Sequence, residues 1–282
     1  MAKPPDQHLS FEQYGQAAEA LHVLSGILLF EFAHRDEAAA PRDQIARNFI
    51  ARSDMMVRGI LRLWEISDQA DCWILHRALL DRLFHLYDLN QKDQFDVFND
   101  WSFKMLYEAA GRLRSDPSQK GQIDGLVEEL TQERKSRYHR LVKIPPDWRR
   151  PKAEGAAKGM GITFLYRYGY DYASRYVHPM ANDGQDDFYT ITGLEPRPDI
   201  PAPDIVVLSN SILIASMILQ EALNASSLLW MAVVYNAIDG VRNFLLSAAP
   251  EHHLPLAKVC KLFEEHVPIA KRRDPDPLAE QT

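Results

Sequence analysis

Apolar residues recur three and four apart through most of the chain, and no run alternates apolar with polar at every second position. The first spacing gathers side chains on one face of an α-helix, whereas the second would mark a strand. The pattern therefore predicts an all-α fold. The first helix is expected to follow Ser10, with Gln13 placed to complete a capping box ahead of YGQAAEALHVLSGILLFEF. A second covers RDQIARNFIARSDMMVRGILRLWEI. A third runs from about Cys72 to Leu89, with SDQAD as its cap. FDVFNDWSFKMLYEAAGRLR reads as a fourth and KGQIDGLVEELTQERKSRYHRLVKI as a fifth.

Prolines and glycines between 144 and 162 predict a loop holding at most one short helix. A sixth helix spans about Thr163 to His178 and stops there, because Pro179 disfavours helical geometry in the residue before it. Pro179, Pro196, Pro198, Pro201 and Pro203 make residues 179–204 a long proline-rich connection, with FYTIT as a brief extended piece. A long apolar helix, bent near Asn224, is expected from Asp204 to about Leu246, and a short last helix ends near His266. The sum is a single multi-helix, bundle-like domain of about seven or eight helices over residues 1–267. The charged, proline-bearing tail over 268–282 is expected to be disordered.

Composition narrows the class. A chain of 282 residues can bury a sizeable core, and 46% hydrophobic with 25% charged residues is the balance of a soluble globular protein. The formal charge of −7 argues against holding nucleic acid by overall charge. RNA would need a local patch such as Arg134, Lys135, Arg137, Arg140, Arg149 and Arg150. Cys72 and Cys260 are far apart and fit no metal spacing, so both are expected as free thiols in a reducing compartment. MAKPPDQHLSFEQ lacks the layout of a secretion signal. The longest apolar stretch, from Ile205 onward, is interrupted by Ser209, Asn210, Ser211, Gln220, Glu221 and Asn224, short of the roughly 20 apolar residues of a bilayer span. The expectation is a cytoplasmic protein with no membrane partner.

Three polar stripes then stand out on apolar helices. Tyr166, Tyr170, Ser174 and His178 are spaced four apart, so they stack on one face and could bring Ser174 against His178. A histidine titrates near neutral pH and can polarise a neighbouring hydroxyl. It can equally cap the helix end, and tyrosines can equally pack into a core. Arg77, Asp81 and His85 repeat the spacing on the third helix, where the arginine and aspartate can pair. Asn210, Glu221, Asn224, Tyr235 and Asp239 form the third stripe. A buried Glu221 would need a partner, with Arg77 or His178 the natural candidates, unless it reaches solvent.

HRALLDRLFHLYDL, followed some 70 residues later by DWRRPKAEGAAKGMGITFLYRYGYDYASRYVHP, resembles an uncharacterised bacterial all-helical family of unknown function. The resemblance spans roughly residues 45–240. It implies that Arg77, Asp81, Trp148, Gly161, Tyr170, Ser174, His178 and Pro179 are the family's motif positions, with Asp81 standing where a glutamate is usual. It implies a bundle in which these positions converge, and no reaction. HEPN-type proteins, some of them RNases or antiphage toxins, share the helical class, but the Arg134–His139 spacing that would link them arises readily by chance.

These residues define the functional expectations. As an enzyme, the protein would use Arg77 as an anion clamp, Asp81 to orient it, His178 as general acid–base, and Ser174 or Tyr170 to bind or activate substrate. Trp148 and Glu221 would complete ligand binding. The arginine fork suits a phosphodiester or phosphate ester, hence a small phosphate-bearing ligand or RNA. No cofactor is expected, although His178 with Asp183, Asp186 and Asp187 could hold a divalent metal. The competing expectations are a HEPN-like RNase or toxin of a defence system, and a non-catalytic interaction module of a homo-oligomer or a protein complex, its polar stripes fixing helix register.

Overall fold

In a computed structural model of the chain, residues 9–34, 40–115, 131–178, 181, 184–194, 205–226 and 231–247 are described, and no strand occurs among them. Helix α1 (Phe11–His34) opens with the capping box. The Ser10 N–H donates to Gln13 Oε1 at 2.8 Å, and the Gln13 N–H donates to Ser10 Oγ at 3.2 Å. Helix α2 (Pro41–Glu65) starts on a proline, whose missing N–H costs nothing at a first turn. Helix α3 (Gln69–Lys92) begins three residues before the sequence expectation, because the Asp68 carboxylate accepts the Asp71 N–H. Helix α4 (Phe95–Ser115) follows directly. Helix α5 (Gln132–Lys143) is capped by Thr131, and residues 120–130 of the expected fifth helix lie outside the described residues.

The 144–162 loop holds one short helix, α6 (Ala153–Gly159). The expected sixth helix is not uniform. It comprises α7 (Thr163–Leu165), a π-helical turn (Tyr166–Asp171) and α8 (Tyr172–Val177). Helix α8 stops where Pro179 requires, with His178 extended at φ −110°, ψ 124°.

Two expectations are corrected. FYTIT lies in α9 (Gln185–Thr192), not in an extended piece. Gly184 and Gly193, both left-handed at φ 73° and 65°, turn the chain into and out of this helix, and that overrides the strand preference of its aromatic and β-branched residues. The long apolar helix is two helices, α10 (Val206–Ala225) and α11 (Met231–Ser247). Ser226 is extended, its N–H bonded to Ala222 O and its hydroxyl to Leu223 O, so the last carbonyls are satisfied without glycine or proline. The expected last helix and tail, together with Cys260, fall outside the described residues.

Helices α2, α3 and α10 pack on one another at the centre. Helices α1 and α11 cover α10, α4 lies on α2 with α5 outside it, and α6, the π turn and α8 lie on α3. Burial continues around most of α3 and α10: Leu79, Leu80, Leu83, Leu86, Ile214, Ile218 and Leu223 are sealed from solvent. Each such side chain contributes about 1.5–3 kcal/mol by leaving water. By length and composition alone, α1 and α10 could also cross a membrane, contrary to the expectation that the polar interruptions in α10 exclude it. Here α10 is the core helix, 61% of its apolar window buried.

Candidate functional site

The site begins with a close approach. A β-carbon on Gly169 would fall 2.7 Å from His76 Nε2 and 2.9 Å from Leu80 Cδ1, so only glycine lets the π turn settle this tightly on α3. That approach sets Tyr170 and Ser174 against the Arg77–Asp81–His85 face of α3.

Arg77 is the hub. Its Nε donates to Ser174 Oγ at 3.1 Å and its Nη2 to the Tyr170 hydroxyl at 3.2 Å, while the guanidinium carbon lies 4.6 Å from the centroid of the Tyr170 ring. The Tyr170 hydroxyl donates in turn to Asp81 Oδ1 at 3.3 Å. Burial, then the Asp81 charge, raises the Tyr170 pKa against the pull of Arg77, so the phenol stays neutral and relays between the two ions. Ser174 donates to the Tyr170 carbonyl at 2.7 Å, which commits its proton to the backbone.

The edge of the cluster is built by α3 and the loop after α5. Arg150 Nη2 stands 4.0 Å from Asp81 Oδ2, and the Arg150 side chain is 68% exposed. His85 Nδ1–H donates to the Asp81 carbonyl at 2.5 Å, and its ring stacks on Trp148 with centroids 5.6 Å apart. Burial lowers the His85 pKa, so the imidazole is neutral with its proton on Nδ1. Trp148 is buried against Phe98 and Trp101, at 4.8 and 4.4 Å between ring centroids, and so anchors the loop that carries Arg150.

Of the sequence-derived candidates, Arg77, Asp81, Tyr170 and Ser174 converge, with Trp148 next to them through His85. His178 does not join them. It is exposed, and among the described residues its ring has no hydrogen bond or ion pair; only its backbone N–H bonds back, to Ser174 O. The extended backbone that Pro179 imposes carries it off the helix face. Glu221 also stands elsewhere. Its Oε2 and its backbone carbonyl both accept from Asn90 Nδ2 at 2.8 Å, and its charge adds to burial in raising the Tyr235 pKa. It bonds neither Arg77 nor His178. Of the metal candidates, Asp183 and the Asp186 side chain lie outside the described residues, and no three His, Cys, Asp or Glu side chains among the described ones group as a metal site would require.

The sequence reading missed His76. This residue is fully buried, its Nδ1 2.9 Å from Ser211 Oγ on α10, while its Nε2 has no partner among the described residues. Burial lowers its pKa to about 3, so it is neutral in the folded protein. The signal lay in the spacing: His76 shares the apolar arc of Cys72, Trp73, Leu79, Leu80 and Leu83, at helical intervals of three, four and seven.

Chemically, the cluster can recognise an anion more readily than it can attack one. Ser174 has no base beside it among the described residues, and Arg77 is held through Nε and Nη2 with Nη1 bonded to no described residue. The chain matches the model of a family of unknown function (DUF5677) over residues 43–188. That span runs from α2 into α9, contains every converging residue, and stops well short of the far edge near 240 that the sequence resemblance implied. No curated protein and no solved structure matches the chain.

Proposed function

Because the chain belongs to a family of unknown function (DUF5677), which brings no reaction with it, we propose from its own residues that it is a cytoplasmic helical module binding a phosphate-bearing ligand. The ligand sits at the open edge of Arg77, with Arg150 closing over it. The observation that carries this reading is the fixed guanidinium, clamped on Tyr170 and Ser174 through Nε and Nη2 with Nη1 to spare. A guanidinium whose own rotamers are already fixed loses less entropy on meeting an oxyanion, and its planar fork matches phosphate. Arg150, only loosely held by Asp81, can swing to the same anion. Binding is favoured over hydrolysis because Ser174 has no base beside it among the described residues and His178 stands apart.

The test is calorimetric titration of the intact protein with inorganic phosphate, pyrophosphate, AMP and ADP, with and without magnesium. At least one probe is expected to bind, with affinity falling tenfold or more in Arg150→Gln and Arg77→Lys, and without release of inorganic phosphate. Absence of binding by all four probes, or affinity untouched by both substitutions, would overturn the reading. Arg150→Gln keeps the test valid if Arg77→Lys loosens the fold, since the exposed side chain has little structural role.

A further inference from the structure

A second arrangement lies on α4 and α5, outside this cluster. A cleft of about 510 Å³ is lined by Tyr107, Glu108, Gly111, Arg112, Ser115 and Tyr138. Tyr107 and Tyr138 stack at 4.3 Å between centroids, with planes 16° apart, so the two helices present paired flat rings at the cleft. Arg112 is exposed there, and the one carboxylate among the described lining residues, Glu108, is already paired with Lys104 at 2.8 Å.

Helix α5 sorts its charges by face. Arg137 turns inward, paired with Asp100 at 2.8 Å and lying 4.2 Å over the Phe103 ring, next to buried Leu141. Lys135, His139, Arg140 and Lys143 are exposed and fall within roughly 140° of arc on the opposite side. Lys135, Arg140 and Lys143 form no ion pair with a described residue. The exposed cations continue through Arg149 and Arg150 in the following loop to Lys152 and Lys158. Residues 131–159 carry nine lysines and arginines against three acids, in a chain whose formal charge is −7. This strip is therefore a local exception on an otherwise acidic protein.

We infer that the outer side of α5 and the adjoining α4–α5 cleft together bind single-stranded nucleic acid, its phosphates on Lys135, Arg140 and Lys143 and one unpaired base against the tyrosine pair in the cleft. Cations alone would serve any polyanion. The flat rings at the cleft, on the flank of α5 next to Lys135, select a strand whose bases are free to stack, which a duplex or an anionic lipid surface does not offer. The inference does not depend on phosphate binding at Arg77.

Fluorescence anisotropy of the full chain with labelled 12-nucleotide oligo(U) and oligo(A), and with a duplex of equal length, tests it. Single strands are expected to bind more tightly than the duplex. Lys135→Glu, Arg140→Glu and Lys143→Glu together should weaken binding at least tenfold and flatten the dependence of log K on log salt by about 0.7 for each phosphate no longer neutralised. Tyr138→Leu should weaken it about fivefold or more, and His178→Ala, outside both arrangements, should leave it unchanged. Should Tyr138→Leu not fold, Arg112→Glu at the same cleft replaces it, with the same expected loss. Equal affinity for duplex and single strand, indifference to the triple charge reversal, or no binding to any oligonucleotide would each overturn the inference.

Discussion

The missing side chain of Gly169 faces the buried imidazole of His76: a β-carbon there would stand 2.7 Å from Nε2. Alanine at 169 gains up to about 1 kcal/mol of helix propensity. It also forces apart two fully buried neighbours, His76 and Leu80, and such overpacking costs about 1–3 kcal/mol. Gly169→Ala is therefore expected to destabilise the fold, and urea unfolding would reveal a lower midpoint at unchanged slope.

Tyr170 should matter through its oxygen. Removing the hydroxyl takes an acceptor from Arg77 and a donor from Asp81 while leaving the ring under the guanidinium. Tyr170→Phe is expected to cost about 1–2 kcal/mol. A double-mutant cycle with Asp81→Ala should show less than additive loss, because the same bond is broken in both; strict additivity would mean that the relay carries no coupling.

His178 should matter little. Its ring is exposed and bonded to nothing described, so His178→Ala is expected to shift stability by no more than about 0.5 kcal/mol. Pyrophosphate affinity should likewise be unchanged, whereas a tenfold loss would return this histidine to the site.

Acid should act through His76. Its folded pKa of about 3 lies below the ordinary histidine value near 6.5, so the unfolded chain binds one proton more than the native one between those limits. The stability this neutral histidine preserves is complete above about pH 6.5 and is lost as pH falls toward 3, at up to about 1.4 kcal/mol per pH unit. Denaturation curves of wild type and His76→Gln between pH 7 and 4 should differ by that one-proton slope.

Cys72 is sealed, its thiol donating to the Ile60 carbonyl and its pKa pushed up to about 12 by burial. In a Cys260→Ser background, a thiol reagent is expected to label the folded protein only at the rate of opening, and rapidly in denaturant. Stoichiometric labelling within the mixing time under native conditions would contradict this packing.

What could be read from the chain, and what could not, follows from range. The Ser10–Gln13 cap is a three-residue interaction written entirely in local chemistry, and Pro179 acts on its immediate neighbour; both leave a plain mark. The ladder of Tyr170 and Ser174 could be seen, but its partner Arg77 lies on another helix, and only the packing of α8 on α3 decides whether they meet. The π turn left no periodic signal, since one extra residue in a turn resembles ordinary drift along a helix face; Gly169 among tyrosines was its only trace. The break at Ser226 was equally hidden, because its hydroxyl takes a role usually given to glycine or proline. Neither partner considered for Glu221, Arg77 or His178, is the one it meets, for a related reason. Asn90 sits at the far end of α3, and spacing along one helix says nothing about which turn of a neighbour it will meet.

The surplus residue wound into Tyr166–Asp171 also changes how this segment answers to length. Deleting a single residue ahead of Gly169 would restore regular winding and leave all that follows on the same face, because the wide turn covers nearly the rotation of an ordinary one. The serine at 174 would keep its guanidinium, so here a one-residue deletion is a milder lesion than in an ordinary helix, where it would rotate the remainder by about 100°.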